Sequence, residues 1–258
     1  MSLIDKYKGY MIDLDGTIYR GKEEIPAAKP FIDRLRQNNI PYLFVTNNST
    51  KEPMDVVRNL KDNFDIDATE SNVYTSAMAT VDYVKSLDSS KKKVYIIGEQ
   101  GLKRAFANEG FVFEEQNPDY VIVGLDYDVT YHKFELATLA IRNGATFIGT
   151  NPDTNLPNER GLVPGAGSLV GLVEIATQQK PIMIGKPETI IMDKALEKMK
   201  LQKEEVVMVG DNYNTDIQAG INAGIDTLLV YTGVSTKEQV AKKDSKPTHE
   251  IDSLDEWK

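Results

Sequence analysis

The chain has 258 residues and carries 30 basic against 39 acidic side chains, a formal charge of −9, with a hydrophobic fraction of 41%. An acidic balance of this size argues against a nucleic-acid partner, which needs a basic face to displace counterions from phosphates. With no cysteine at all, disulfides, thiolate metal sites and cysteine nucleophiles are excluded.

The first 17 residues, MSLIDKYKGYMIDLDGT, show no apolar run of signal-peptide length, and no stretch reaches the ~18 apolar residues of a membrane span. A cytoplasmic protein without a membrane partner is expected. In chain order, strands are predicted at Tyr10–Leu14, Tyr42–Thr46, Val73–Thr75, Val94–Ile97, Tyr120–Val123, Thr146–Ile148, Ile182–Ile184, Val206–Val209 and Thr227–Val230. Most are continuously apolar, the pattern of strands covered on both faces. Helical stripes fill the gaps: Phe134, Ala137 and Ile141, closed by Gly144, and Ile191, Ala195 and Met199. Alternation of this kind implies an α/β fold with parallel sheets.

Nine strands are enough for two sheets, and the residues capable of chemistry lie in the first fifty positions and again after Met183. The expected organisation is a Rossmann-like core of residues 1–79 and 181–258, interrupted by an inserted α/β domain over residues 80–180.

Four strand ends carry polar residues of complementary type. Asp13-Leu14-Asp15-Gly16-Thr17 follows the first strand, so that Asp13 and Asp15 share a face at the carboxyl edge, where open α/β sheets bind ligands. Two carboxylates this close repel unless a cation or a proton is shared, and a hard divalent ion would resolve the conflict. Thr46-Asn47-Asn48-Ser49 follows the second strand and offers donors suited to phosphate oxygens or, alternatively, to a helix cap. Gly185-Lys186-Pro187 places a lysine after a strand, where it neutralises phosphate and carboxylates or is simply solvated. Val206–Val209 leads into Gly210-Asp211-Asn212-Tyr213-Asn214-Thr215-Asp216, which is either a second acidic site or an acidic turn followed by a helix start. Convergence of all four by chance is improbable.

In this set and order, the motifs resemble the haloacid dehalogenase (HAD) superfamily of phosphohydrolases. The VTNNS, GKP and GDNxxTD segments look more narrowly like its NagD-like sugar phosphatases, whose large α/β cap lies between the second and third motifs. The resemblance implies a phosphatase that hydrolyses phosphate monoesters of small metabolites, with the cap setting substrate specificity. Asp13 would be the nucleophile and form an aspartyl-phosphate, and Asp15 the acid and base.

Mg²⁺ would be held by the Asp13 carboxylate, the Asp15 carbonyl and Asp211, while Thr46, Asn47, Asn212 and Thr215 surround the phosphoryl group. Lys186 would balance charge around Asp13 and the phosphate, and Asp216 would orient its neighbours without ligating the metal. An acidic residue two after the nucleophile suits phosphatases and mutases, so a phosphotransferase or mutase is the alternative enzyme, and a non-catalytic binding module the alternative outside catalysis. The partner is a small phosphorylated metabolite. Caps of such enzymes often support dimers, which suggests a homodimer through the cap.

In the insertion, Ile148–Thr154 with Asn155, Asn158 and Arg160 is either a loop that selects the leaving group or an ordinary Asn/Pro/Asp turn. Glu99-Gln100-Gly101 after Val94–Gly98 lacks the third glycine of a dinucleotide fingerprint. His132 and His249 stand apart from the motifs, and Trp257 at the extreme end is read as an anchor for the tail.

Overall fold

The structure, a computed structural model, describes residues 3–258. The strands in chain order are β1 (Gly9–Ile12), β2 (Tyr19–Arg20), β3 (Glu23–Glu24), β4 (Tyr42–Thr46), β5 (Val73–Thr75), β6 (Lys93–Ile97), β7 (Val112–Phe113) and β8 (Tyr120–Val123). They continue with β9 (Thr146–Gly149), β10 (Asn155–Asn158), β11 (Gly161–Pro164), β12 (Ile182–Met183), β13 (Val206–Gly210), β14 (Asp226–Val230) and β15 (His249–Ile251). The α-helices are α1 (Ala28–Gln37), α2 (Pro53–Phe64), α3 (Ser76–Leu87), α4 (Gln100–Asn108), α5 (Tyr131–Arg142), α6 (Ala166–Thr177), α7 (Thr189–Met199), α8 (Gln218–Ala223) and α9 (Lys237–Ala241).

Two compact units emerge. The first comprises the chain up to Thr46 together with Pro53–Tyr74 and Lys186–Lys258, and the second Asn47–Glu52 and Thr75–Gly185. All nine strands expected from apolar runs are present, most within a residue of the expected ends. The additional ones run two to four residues. Glu23–Glu24, Asn155–Asn158 and Gly161–Pro164 have no apolar run to mark them, because they sit in exposed hairpins whose faces need no burial.

The first unit is built on a six-stranded sheet in the order β15-β14-β13-β1-β4-β5. β1 lies in the middle, parallel to β13 on one side and β4 on the other, with Ile12 level with both Val209 and Phe44. The carboxyl ends of these three strands therefore finish side by side. All residues of β1, β4 and β13 are buried, as the unbroken apolar runs imply. Ile12, Phe31, Phe44, Leu60, Val209 and Leu228 belong to one core cluster that also takes in Trp257. The indole is 2% exposed and donates to the Tyr10 hydroxyl at 2.9 Å, so the end of the chain is pinned into the core.

The second unit has its own parallel sheet, in the order β12-β9-β8-β6-β7, and its own core including Val121, Val123, Ala137, Ile141, Phe147 and Val170. β12 pairs with β9, so the strand that precedes Lys186 belongs to this sheet and not to the first. The segment Asn47–Glu52 is bound within the same unit: the Thr50 carbonyl accepts from the Gly101 amide at 3.2 Å, and Glu52 pairs with Arg104 at 2.9 Å. No helix among the described residues is long and apolar enough to cross a membrane.

Candidate active site

The candidate site lies at the carboxyl ends of the central strands of the first unit. Asp13 continues β1, its amide still bonded to the Val209 carbonyl at 2.9 Å, and Asp211 follows β13. Thr46, buried, ends β4. Between them rises Lys186, only 1% exposed. Its Nζ donates to Asp13 Oδ1 at 2.6 Å, to Asp216 Oδ1 at 2.7 Å and to the Val45 carbonyl at 2.9 Å. Asp216 Oδ2 in turn accepts the Asn212 amide at 3.1 Å, which locks the turn over Tyr213–Ile217 against the lysine.

Each carboxylate is held by its surroundings. Asp211 accepts from the Val234 amide at 2.7 Å and from the Thr17 hydroxyl at 3.3 Å. Two glycines make this packing feasible. Gly16 has φ +98° and turns the chain sharply after Asp15; a Cβ there would lie deep inside the Asp211 carboxyl group. A Cβ at Gly210 would collide in the same way with Asp216.

One oxygen from each of Asp13, Asp211 and Asp216 can be chosen so that all lie within 4.8 Å of one another. Asp13 and Asp216 share one ammonium and Asp211 lies beside them, which leaves an excess of negative charge out of water. The electrostatics follow. Burial, reinforced by Asp216 and Asp211, pushes Asp13 well above the usual carboxylate range despite the opposing pull of Lys186. Burial and Asp216 push Asp211 up to about 7. For Lys186, burial favours the neutral amine, but Asp13 and Asp216 outweigh it and hold the proton firmly. A cluster of hard oxygen donors short of positive charge fits a divalent metal ion.

Asp15 is exposed, and its Oδ1 accepts the Gly21 amide at 2.9 Å. Its carboxylate is not among the clustered oxygens, in keeping with a role for that side chain distinct from ligation. The Asp216 carboxylate lies close to those of Asp13 and Asp211, with one oxygen on Lys186 and the other on the Asn212 amide. Asn212 and Thr215 lie in the turn that carries Asp216, with the Asn212 side chain accepting the Asn214 amide at 3.0 Å.

Among the expected site residues, Asn47 lies outside the first unit. Its amide donates to both oxygens of Asp153 at 3.1–3.2 Å, and its carbonyl accepts from Asn151 at 2.8 Å and from Ser76 at 2.6 Å. The loop singled out in the insertion is thus tied to the VTNNS segment within the second unit. Arg160 is exposed at the turn of the β10–β11 hairpin. Thr17, already part of the first motif, donates to Asp211, and the segment Thr232–Ser235, which the sequence reading does not single out, also bonds to site residues. The segment has no charged side chain, and its one local signal is a Thr-Gly pair one residue after an apolar strand.

Residues 10–112 match the model of a haloacid dehalogenase-like hydrolase, and residues 183–257 that of a HAD-hydrolase-like family. The 5'-nucleotidase YutF of Bacillus subtilis is 51% identical, over 97% of both chains. The acid sugar phosphatase of Staphylococcus aureus is 52% identical, over 97% of this chain and 96% of its own. A crystal structure of a double mutant of the thermostable NPPase from Geobacillus stearothermophilus superposes with a TM-score of 0.93 at 52% identity, covering 100% of this chain and 99% of the other. The buried Asp13–Lys186–Asp216 constellation beside Asp211 accordingly sits in a chain that belongs to the haloacid dehalogenase-like hydrolases, within their NagD-like phosphatase branch.

Proposed function

We propose that this phosphatase hydrolyses phosphate monoesters of small metabolites through an aspartyl-phosphate on Asp13, with Mg²⁺ as the metal. The observation that carries the reading is the clamp on Asp13: Lys186 Nζ, fully buried, holds Oδ1 at 2.6 Å and so leaves Oδ2 as the attacking atom.

Asp13 Oδ2 bonds to phosphorus as the ester oxygen departs, and Asp15, exposed at the turn, delivers a proton to that oxygen. A water then attacks phosphorus, gives its proton to Asp15, and releases inorganic phosphate and free Asp13. Asp13, Asp211 and the Asp15 carbonyl are the proposed metal ligands, and Asp216 is a further candidate by its place in the cluster. The ion would neutralise charge on the transferring group. Lys186 keeps Asp13 oriented, and Thr46, Asn212 and Thr215 are the proposed phosphoryl contacts in this unit, with Asn47 proposed for the same task.

The names of the relatives support sugar or acid-sugar phosphates and nucleotides as substrates, and p-nitrophenyl phosphate as a substrate in vitro. The second unit is proposed to select the leaving group, and the protein to work in the cytoplasm, with a homodimer through the cap as the proposed assembly.

The test is hydrolysis of p-nitrophenyl phosphate by the wild type with Mg²⁺, the wild type with EDTA, and Asp13→Asn with Mg²⁺. Loss of turnover in the last two, on the order of 10⁴-fold or more for the variant, is expected by comparison with other lost nucleophiles. Equal rates in all three would remove the mechanism.

A further inference from the structure

The loop after β14 touches the site at several points, yet Thr232–Ser235 carries no charged side chain. The Val234 amide donates to Asp211 Oδ2 at 2.7 Å, and the Ser235 amide to the Asp211 carbonyl at 3.2 Å. The Ser235 hydroxyl accepts the Tyr213 amide at 2.8 Å, at the start of the turn that carries Asp216. The Thr232 hydroxyl donates to the Gly16 carbonyl at 2.6 Å, on the turn that carries Asp13 and Asp15. Arg20, in β2, donates to the Thr232 carbonyl.

Gly233 is exposed, and its φ is not in the left-handed region, so the backbone itself would accept alanine. A Cβ there would nonetheless fall inside the Asp211 carboxyl group. The glycine is required by the close approach of this loop to Asp211.

We infer that Thr232–Ser235 is a positioning element that fixes Asp211 and the Asp13–Gly16 turn in one arrangement, and so sets the affinity of the acidic cluster for its metal ion. None of these residues touches the reacting atoms; they act through Asp211, Gly16 and Tyr213. Partners that orient ligands typically change metal affinity 10- to 100-fold when removed. The physical reason is that Asp211 cannot be held by repulsive neighbours: with Asp13 and Asp216 close by, its carboxylate would swing away unless amide donors keep it in place.

The experiment uses the full chain with Mg²⁺ as the probe, and rests on the proposed phosphatase reading only for its kinetic arm. Mg²⁺ affinity is read by calorimetric titration, and separately as the Mg²⁺ concentration giving half-maximal p-nitrophenyl phosphate turnover. Gly233→Ala is expected to weaken Mg²⁺ by 10- to 100-fold. Thr232→Val, which keeps shape but loses the hydroxyl, should weaken it at least tenfold, and Thr232→Ser should restore it to within about threefold.

Wild-type Mg²⁺ affinity in both Gly233→Ala and Thr232→Val would overturn the inference while leaving the phosphatase reading standing. A wild type that binds Mg²⁺ but turns nothing over would sink that reading and leave the calorimetric arm to decide. Should Gly233→Ala fail to fold by circular dichroism, the Thr232→Val and Thr232→Ser pair decides alone: loss followed by rescue supports the inference, and equal affinities overturn it.

Discussion

Replacing Lys186 by methionine removes the ammonium that Asp13 and Asp216 share while roughly preserving volume. In the wild type its three acceptors lie at 2.6, 2.7 and 2.9 Å, and the residue is 1% exposed, so no water replaces the lost contacts cheaply. Breaking a buried ion pair by deleting one partner costs about 3–5 kcal/mol, because the remaining charge is stranded. Here two carboxylates are stranded at once, beside a third, and the Val45 carbonyl loses its donor.

The loss should be at least of that size in EDTA at pH 8, lowering the midpoint of thermal unfolding by roughly 6–20 °C at ~2–4 °C per kcal/mol for a chain of this length. It should shrink towards pH 5. Without the ammonium, Asp13 and Asp211 lose the charge that opposes their upward shift, the folded state binds protons that the unfolded state does not, and acidification stabilises the folded state relative to pH 8. Urea unfolding followed by circular dichroism at both pH values measures the difference. A loss below about 1 kcal/mol at pH 8, or an equal loss at both pH values, would refute the account of Lys186 as the charge that holds the cluster together.

Two further outcomes bear on the same site. Asp15→Asn should lower kcat by roughly 10²–10⁴-fold through lost proton transfer and leave the Mg²⁺ affinity unchanged, since its side chain lies outside the clustered oxygens; a matched loss of Mg²⁺ affinity in calorimetry would contradict that division of roles. The metal-free protein should lose stability as pH rises. Asp211 is pushed up to about 7 in the folded state from an unfolded value near 3.9, so its contribution is full below about 4 and gone above about 7. Mg²⁺ competes with that proton, so the thermal shift it produces should grow from pH 5 to pH 8, and a shift independent of pH would count against metal binding at Asp211.

Short-range patterning made much of this protein legible. Continuous apolar runs marked the central strands of both parallel sheets, because a strand buried on both faces must be apolar at every position, and that requirement acts residue by residue. The same logic located Asp13, Asp15 and Asp211: a charge directly after a buried strand has to emerge at the sheet edge. Gly16, in the same motif, has φ +98°, a backbone that glycine adopts without steric cost. The exposed hairpins β2–β3 and β10–β11 were not readable, as no burial requirement shapes their sequences.

What the sequence determined by itself was the set of buried strands and the chemical character of their ends, where carboxylates, hydroxyls and a lysine follow apolar runs. Only the tertiary structure decided which groups meet. Lys186 reaches Asp13 across 173 positions and Asp216 across 30, and the strand leading to it pairs with β9, not with any strand of the first sheet. Asp216 joins the acidic cluster, Asn47 turns to Asp153, and an uncharged loop at Thr232–Ser235 grips Asp211. These outcomes depend on which buried polar atoms find partners once two separate cores have formed. That requirement acts through space, and no local periodicity along the chain records it.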